Sequence, residues 1–219
     1  MIFLDHCFTL VAICSDTSYP FGFKSRSKLP PLDILKFLVT TLINHDNKVA
    51  FIRVDEYGAL AVSSEFMRTC HNMNIIVHTT GGDASSLNGK SKSPNKTLAN
   101  ITRALLLKSS HKKELWFFAY QYAIWISRRT ENILRDDVPY FLWHGIRPSY
   151  KHIKIWGVRV YIINGRATIK KLNYRSHRGY FMVYVANTGV IVYWKPEQPF
   201  IIHRAHLVWF DEYNSRLSI

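Results

Sequence analysis

Three short apolar runs, FTLVAI (8–13), VAFIRV (49–54) and NIIVHT (74–79), alternate with segments of helical periodicity, and this alternation constrains the fold of the chain most. Each run has strand length and is bounded by polar turn residues, so each reads as a buried strand. YPFGFKS (19–25) continues the first sheet after a turn. Pro30-Pro31 opens a helix over about 31–44, with Leu32, Leu35, Leu38, Val39, Leu42 and Ile43 on one face. Residues 63–72 read as a helix with a serine cap and Glu65 near its positive end. After a Gly81-Gly82 loop and a tight turn at Asn88-Gly89, a helix is expected over about 91–108. Pro94 falls in its first turn, and Leu98, Ile101 and Leu105 stand at core spacing. A strongly aromatic helix, ELWFFAYQYAIWISRRT, follows at 114–130; its rings read as core rather than as a platform for bases. Strands alternating with helices make this part α/β.

From about residue 150 the texture changes. IKIWGVRVYII, GYFMVYV, GVIVYWK and FIIHRAHLVWF are aromatic and β-branched, with turns expected at Asn164-Gly165, Arg178-Gly179 and Thr188-Gly189. This is a small all-β unit that reads as a barrel. The expected division is therefore an α/β domain over 1–148, a β domain over 149–213 and a tail over 214–219.

The chain carries 29 Lys and Arg against 15 Asp and Glu, a formal net charge of +14. Release of counterions favours such a surface on nucleic acid, so the charge argues for a polyanionic partner; solubility alone is the plainer alternative. Three cysteines (Cys7, Cys14, Cys70) do not make a disulfide framework, and no CxxC or HxxxH spacing suggests structural zinc. The apolar N-terminus is interrupted by Asp5 and His6, and the run 32–43 by Asp33 and Lys36. Neither reads as a secretory signal or a membrane span. The expectation is an intracellular protein, of nucleus or cytoplasm, with no membrane partner.

Asp55 is the most informative acid, because it stands where a strand emerges into the polar loop RVDEYG. One carboxylate is not enough for metal-dependent phosphoryl transfer, which holds two divalent ions about 4 Å apart. The segment SLNGKSKSPNKTL (86–98) looks built to carry a second acid at a helix start, yet it holds Lys90, Lys92 and Lys96 and no Asp or Glu. Lys92, Lys96 and Arg103, at offsets of four and seven, read either as a solvated helix face or as a groove for phosphates.

The order of these pieces resembles the integrase region of copia-type retrotransposon polyproteins over nearly the whole chain. FIRVDEYGALAVSSEF is similar to that family's strand, catalytic Asp, Gly-containing turn and helix. NIIVHTT followed by NGKSKSPNKTLANITRALL is similar to its next strand, loop and helix, and ELWFFAYQYAIWISRR to its Trp-Ala helix. RPSYKHIKIWGVRVYI, HRGYFMVYV and HRAHLVWFDE are similar to its barrel.

The resemblance implies an RNase H-like integrase core, a mixed sheet with flanking helices, followed by an SH3-like barrel. It also implies an Asp, Asp, Glu triad on Mg²⁺ or Mn²⁺ that joins element DNA to a target, with the integrase acting as an oligomer. Asp55 matches the second Asp, while Lys92 occupies the position of the Glu. Asp5 and Asp16 are the acids near the first Asp; neither leaves room for a preceding hairpin, which implies that the chain begins after that position. Asp83, in the loop before the helix, is the candidate substitute for the Glu. The family's DNG is DEY here, a barrel glycine is Val183, and its zinc-binding segment is not found. The sequence therefore reads as a nucleic-acid-binding relative of integrases with impaired chemistry, the alternatives being an active strand transferase and a non-catalytic scaffold. Lys90, Lys92, Lys96 and Arg103 are the candidate nucleic-acid contacts, and Asp55 the remnant of the metal site.

Overall fold

The computed structural model describes residues 8–25, 32–43, 49–55, 58–80, 85–132, 136–163, 176–185, 190–198 and 201–212. Several side chains of the helices over 32–43 and 85–93 are outside that description, those of Lys90 and Lys92 among them. So are Asp5, Asp83, Pro30-Pro31, the Gly81-Gly82 loop, the expected turns at Asn164-Gly165 and Thr188-Gly189, and the tail. The chain forms two compact units. The smaller comprises His6–Val11 and Gly22–Lys96; the larger comprises Met1–Asp5, Ala12–Phe21 and Thr97–Ile219.

In the smaller unit, β3 (Phe51–Asp55) lies parallel to β4 (Ile76–Thr80), in a register running from Phe51 opposite Ile76 to Asp55 opposite Thr80. Parallel neighbours need a crossover, and α2 (Ser64–Asn72) supplies it. The Ser63 side chain caps α2 as expected, accepting from the Phe66 amide at 3.2 Å. Phe66 and Cys70 of α2 are buried with Val54, Ile75 and Val39, the last from α1 (Leu32–Ile43). Ahead of these, β1 (Phe8–Ile13) and β2 (Pro20–Ser25) form a two-stranded sheet.

Helix α3 (Ser85–Ser109) starts earlier than the expected residue 91. Asn88-Gly89 is helical rather than a turn, and Pro94 lies inside the helix. Proline has no amide to offer the carbonyl one turn back, at a cost of about 3 kcal/mol. The second half of the helix buries Leu98 and Thr102, with Thr102 Oγ1 donating to the Leu98 carbonyl at 2.7 Å.

The larger unit holds a 3₁₀ turn (Lys113–Leu115), α4 (Trp116–Ser127), α5 (Pro139–His144) and a five-stranded sheet. Its strands are β5 (Arg159–Ile163), β6 (Ser176–Tyr184), β7 (Ile191–Trp194), β8 (Ile202–Ala205) and β9 (Val208–Phe210). They pair antiparallel in the order β8-β7-β6-β5-β9. Helix α4 is apolar on nearly every side and packs Phe118, Ala119 and Tyr122 into one core with Val160, Phe181 and Met182. Phe118, Tyr122 and Trp125 are core, as the sequence suggested, while Trp116, Phe117 and Tyr120 are half-buried. The Tyr122 ring stacks on Trp125 at 5.5 Å and meets Phe181 edge-on at 5.4 Å.

Arg178-Gly179 is not a turn: both residues lie within β6. The glycine answers a packing need, because a Cβ there meets the Tyr193 ring at 2.4 Å. The neighbouring strand's aromatic fills the space a side chain would need.

Two residues, His206 and Leu207, separate β8 from β9, although these strands stand at opposite edges of the sheet. Three Cα steps of ~3.8 Å bridge about 11 Å at most. Four flat strand spacings of ~4.8 Å span about 19 Å. The sheet is therefore strongly curled, with its edges drawn together at that link.

Candidate nucleic-acid interface

Strand alternation decides where Asp55 points. Val54 is buried in the core of its unit, so Phe51, Arg53 and Asp55 share the opposite, exposed face of β3. On β4 the same face carries Ile76 and His78, and the His78 ring stacks on Phe51 at 5.3 Å. The Gly58 amide donates to the Asp55 carbonyl at 2.9 Å, and a Cβ on Gly58 would stand 2.9 Å from that same oxygen. A side chain at position 58 would thus crowd the Asp55 carbonyl.

On α3, Lys96 and Arg103 are exposed while Leu98 and Thr102 are buried, so the two cations lie on the outward side. They are seven residues apart, or about 10 Å along the axis. Arg103 Nη1 donates to Asn100 Oδ1 at 2.6 Å, a neutral partner that leaves its charge uncompensated by that bond. The backbone places Lys90 and Lys92 earlier on α3.

Divalent-ion binding is a matter of donor chemistry. The positions that the resemblance assigns hold the Asp55 carboxylate and the Lys92 ammonium. An ammonium donates and cannot ligate, and it repels a cation; a unit-charge contact at ~4 Å is worth about 4 kcal/mol at an effective dielectric near 20. This pair of groups does not fit a two-ion site. Among the described residues no cluster of three His, Cys, Asp or Glu side chains stands close enough to hold a metal.

Sequence reasoning did not single out a second basic region, at the end of α4. Arg128 donates through Nε to the Pro20 carbonyl at 2.9 Å and lies over the Tyr19 ring at 4.7 Å. Arg129 lies over Trp125 at 3.8 Å and over Tyr140 at 4.9 Å, and donates to the Trp125 carbonyl at 3.1 Å. Burial lowers the pKa of both guanidinium groups and raises that of the Tyr19 phenol. These arginines are held by aromatic faces and carbonyls, so their first use is structural. The sequence signal was the Arg-Arg pair at the end of an aromatic helix, whose rings are what the guanidinium planes cover.

The outer face of the five-stranded sheet was also missed. Val160 and Ile162 of β5 point into the core, which turns Arg159, Tyr161 and Ile163 outward. Trp209 of β9 pairs with Tyr161 across the strands, their rings 5.6 Å apart. The signal was available in the alternating pattern of RVYII.

No protein-family model matches the chain. In sequence it is 24% identical over 163 residues to the retrovirus-related Pol polyprotein from transposon TNT 1-94 of Nicotiana tabacum. That match covers 74% of this chain and 12% of the polyprotein, so the chain spans about an eighth of its relative's length. In structure it is similar to a chain of the simian T-cell lymphotropic virus intasome in complex with the PP2A regulatory subunit B56 gamma. There the TM-score is 0.51 and the identity 15%, over 92% of this chain and 71% of that one. It also aligns with the HTLV-2 integrase catalytic core domain in complex with magnesium (trimeric form), at a TM-score of 0.47 and 16% identity over 61% and 82% of the two chains. The motifs and the Pol match thus agree: the chain is similar in sequence to part of a retrotransposon Pol polyprotein, and it shares its fold with an intasome chain.

Proposed function

We propose that the chain is a nucleic-acid-binding protein derived from a retrotransposon integrase, with its strand-transfer chemistry impaired. The observation that carries this reading is Lys92 at the position where the resemblance calls for the metal-binding Glu, with Asp55 as the carboxylate that remains. The net charge of +14 and the outward cations Lys96 and Arg103 support DNA as the partner. In this reading the smaller unit's β3–α2–β4 crossover belongs to an RNase H-like core. The curled five-stranded sheet is the SH3-like barrel, for which the two-residue link between opposite edges is the best support. Self-association and a nuclear or cytoplasmic location follow from the same relationship. Among the described residues no helix is long and apolar enough to cross a membrane.

The deciding experiment is a strand-transfer assay on short duplexes with Mg²⁺ or Mn²⁺, run beside a DNA-binding titration at increasing salt. The expected outcome is binding that weakens with salt and no joining. Asp55 stands exposed at the end of β3, which favours an active transferase as the second reading. Joining that vanishes in Asp55→Ala establishes that reading instead. No binding even at low salt leaves a scaffold protein.

A further inference from the structure

Along β5, the start of β6 and β9, the outer face of the larger unit's sheet carries the exposed side chains Ile163, Arg178 and Trp209. Trp209 is 60% exposed there, and Leu207, two residues earlier on the same side, is 66% exposed. Tyr161 lies directly opposite Trp209, with ring centroids 5.6 Å apart and planes tilted by 41°. Trp209 left in water beside a half-buried Tyr161 is an unusual use of surface unless something covers it. The charges around it are cationic. Arg159 lies two residues from Tyr161 on the same face and opposite Tyr180, its guanidinium beside both phenols. Arg178 is directly opposite Tyr161 on the β6 side. The row therefore reads Trp209, Tyr161, Arg178 across three strands, with Arg159 one step along.

Two acids, Asp211 and Glu197, stand close to it. Asp211, whose amide donates to the Arg159 carbonyl at 3.0 Å, is buried. Glu197 reaches Arg178 at 3.8 Å with both side chains more than half exposed, an arrangement worth little in water. Flat aromatic rings flanked by guanidinium groups match the two parts of a nucleotide that are accessible only when it is unpaired. The base offers a face to stack, and the phosphodiester offers the anion. A duplex hides its base faces, and a protein partner of matching charge needs carboxylates but not stacking.

We propose that this face binds unpaired nucleotides of a DNA or RNA strand, stacking a base on Trp209 and Tyr161 and holding the neighbouring phosphates with Arg159 and Arg178. The inference rests on the nucleic-acid reading above and specifies a second contact surface for it.

The test is an anisotropy titration of the full chain with a labelled oligothymidylate, an abasic strand of equal length, and a duplex. The wild-type protein is expected to bind the oligothymidylate more tightly than the abasic strand. Trp209→Ala is expected to weaken oligothymidylate binding roughly 5- to 150-fold and leave abasic-strand affinity unchanged. Trp209→Phe, which keeps a ring, is expected to retain most of the binding. An unchanged melting temperature in both variants shows that the fold is intact. Equal affinity for the oligothymidylate and the abasic strand, or an undiminished Trp209→Ala, overturns the stacking site while leaving nucleic-acid binding in place. Loss of self-association in Trp209→Ala with oligothymidylate affinity preserved overturns it in favour of a second copy of the chain. Absence of binding to all three probes at low salt defeats the nucleic-acid reading itself.

Discussion

The Tyr122 hydroxyl is clamped to both backbone groups of Lys154: it donates to the Lys154 carbonyl and accepts from the Lys154 amide at 3.0 Å. Tyr122 is fully buried at the centre of α4, while Lys154 belongs to the irregular segment that leads into β5. Burial pushes the phenol up to about 12, so it remains a donor throughout the neutral range. One side chain thus satisfies two main-chain groups where no helix or strand partner serves them.

Tyr122→Phe keeps the ring stack on Trp125 but leaves both Lys154 groups without that partner. The expected cost is about 1–3 kcal/mol, read as a lower denaturant midpoint at unchanged m. An undiminished midpoint shows that the clamp is dispensable.

Gly179→Ala places a methyl group against the Tyr193 ring, with Cβ 2.4 Å from the nearest ring carbon. Overpacking of this kind costs about 1–3 kcal/mol. The cost is expected to disappear in a Tyr193→Ala background, where the ring that Cβ meets is gone. A double-mutant cycle with no coupling contradicts the account of why β6 has a glycine here.

His111 Nε2 lies 2.9 Å from the Gly157 carbonyl, and burial lowers the His111 pKa below its ordinary 6.5. The folded imidazole therefore resists a proton that the unfolded chain accepts. Stability is undiminished above pH ~6.5, where both states are neutral, and declines as the pH falls below that value. The decline levels off once the pH is below the folded pKa. His177 and His203, whose pKa values burial also lowers, add to the same slope. His111→Gln is expected to flatten part of the slope in melts recorded between pH 4 and 8.

Lys96→Ala with Arg103→Ala is expected to weaken duplex binding without altering the melting temperature, since both side chains are exposed. If each neutralises one phosphate, the slope of log affinity against log salt falls by about 2 in magnitude. A slope equal to the wild type places the duplex elsewhere.

Lys92→Glu restores the charge that the resemblance calls for, yet two carboxylates are one short of the triad. No strand joining is expected from this variant with either Mg²⁺ or Mn²⁺. Measurable joining shows that another group already completes the site.

Much of the smaller unit was legible because its signals are local. The Ser63 cap and the runs around Val54 and Ile75 reappear as α2, β3 and β4 with ends moved by one or two residues. The Asn88-Gly89 turn was misread because turn propensity is weak beside the packing of a long helix, and Leu98 and Thr102 decide that helix from further along. The Arg178-Gly179 turn was misread for a different reason. Glycine marks both turns and close approaches, and the Tyr193 ring that distinguishes them comes from a neighbouring strand. For the candidate site, the sequence pointed to Asp55 as an acid at a strand end, and the structure adds its exposure and the Gly58 amide on its carbonyl. The Trp209–Tyr161 pair needed strand register, since the two residues are 48 positions apart.

Helix α4 has a consequence for the order of synthesis. Its buried face waits for strands that emerge later, Ile202 of the same core following Trp125 by about 80 residues. At ~5–20 residues per second, this apolar helix is held by the ribosome for about 4–16 s before the last of its sheet exists. Through that interval Trp116, Phe117, Phe118, Tyr122 and Trp125 form a sticky segment on a nascent chain. Yield in a cell is therefore expected to depend on chaperones that hold this one stretch.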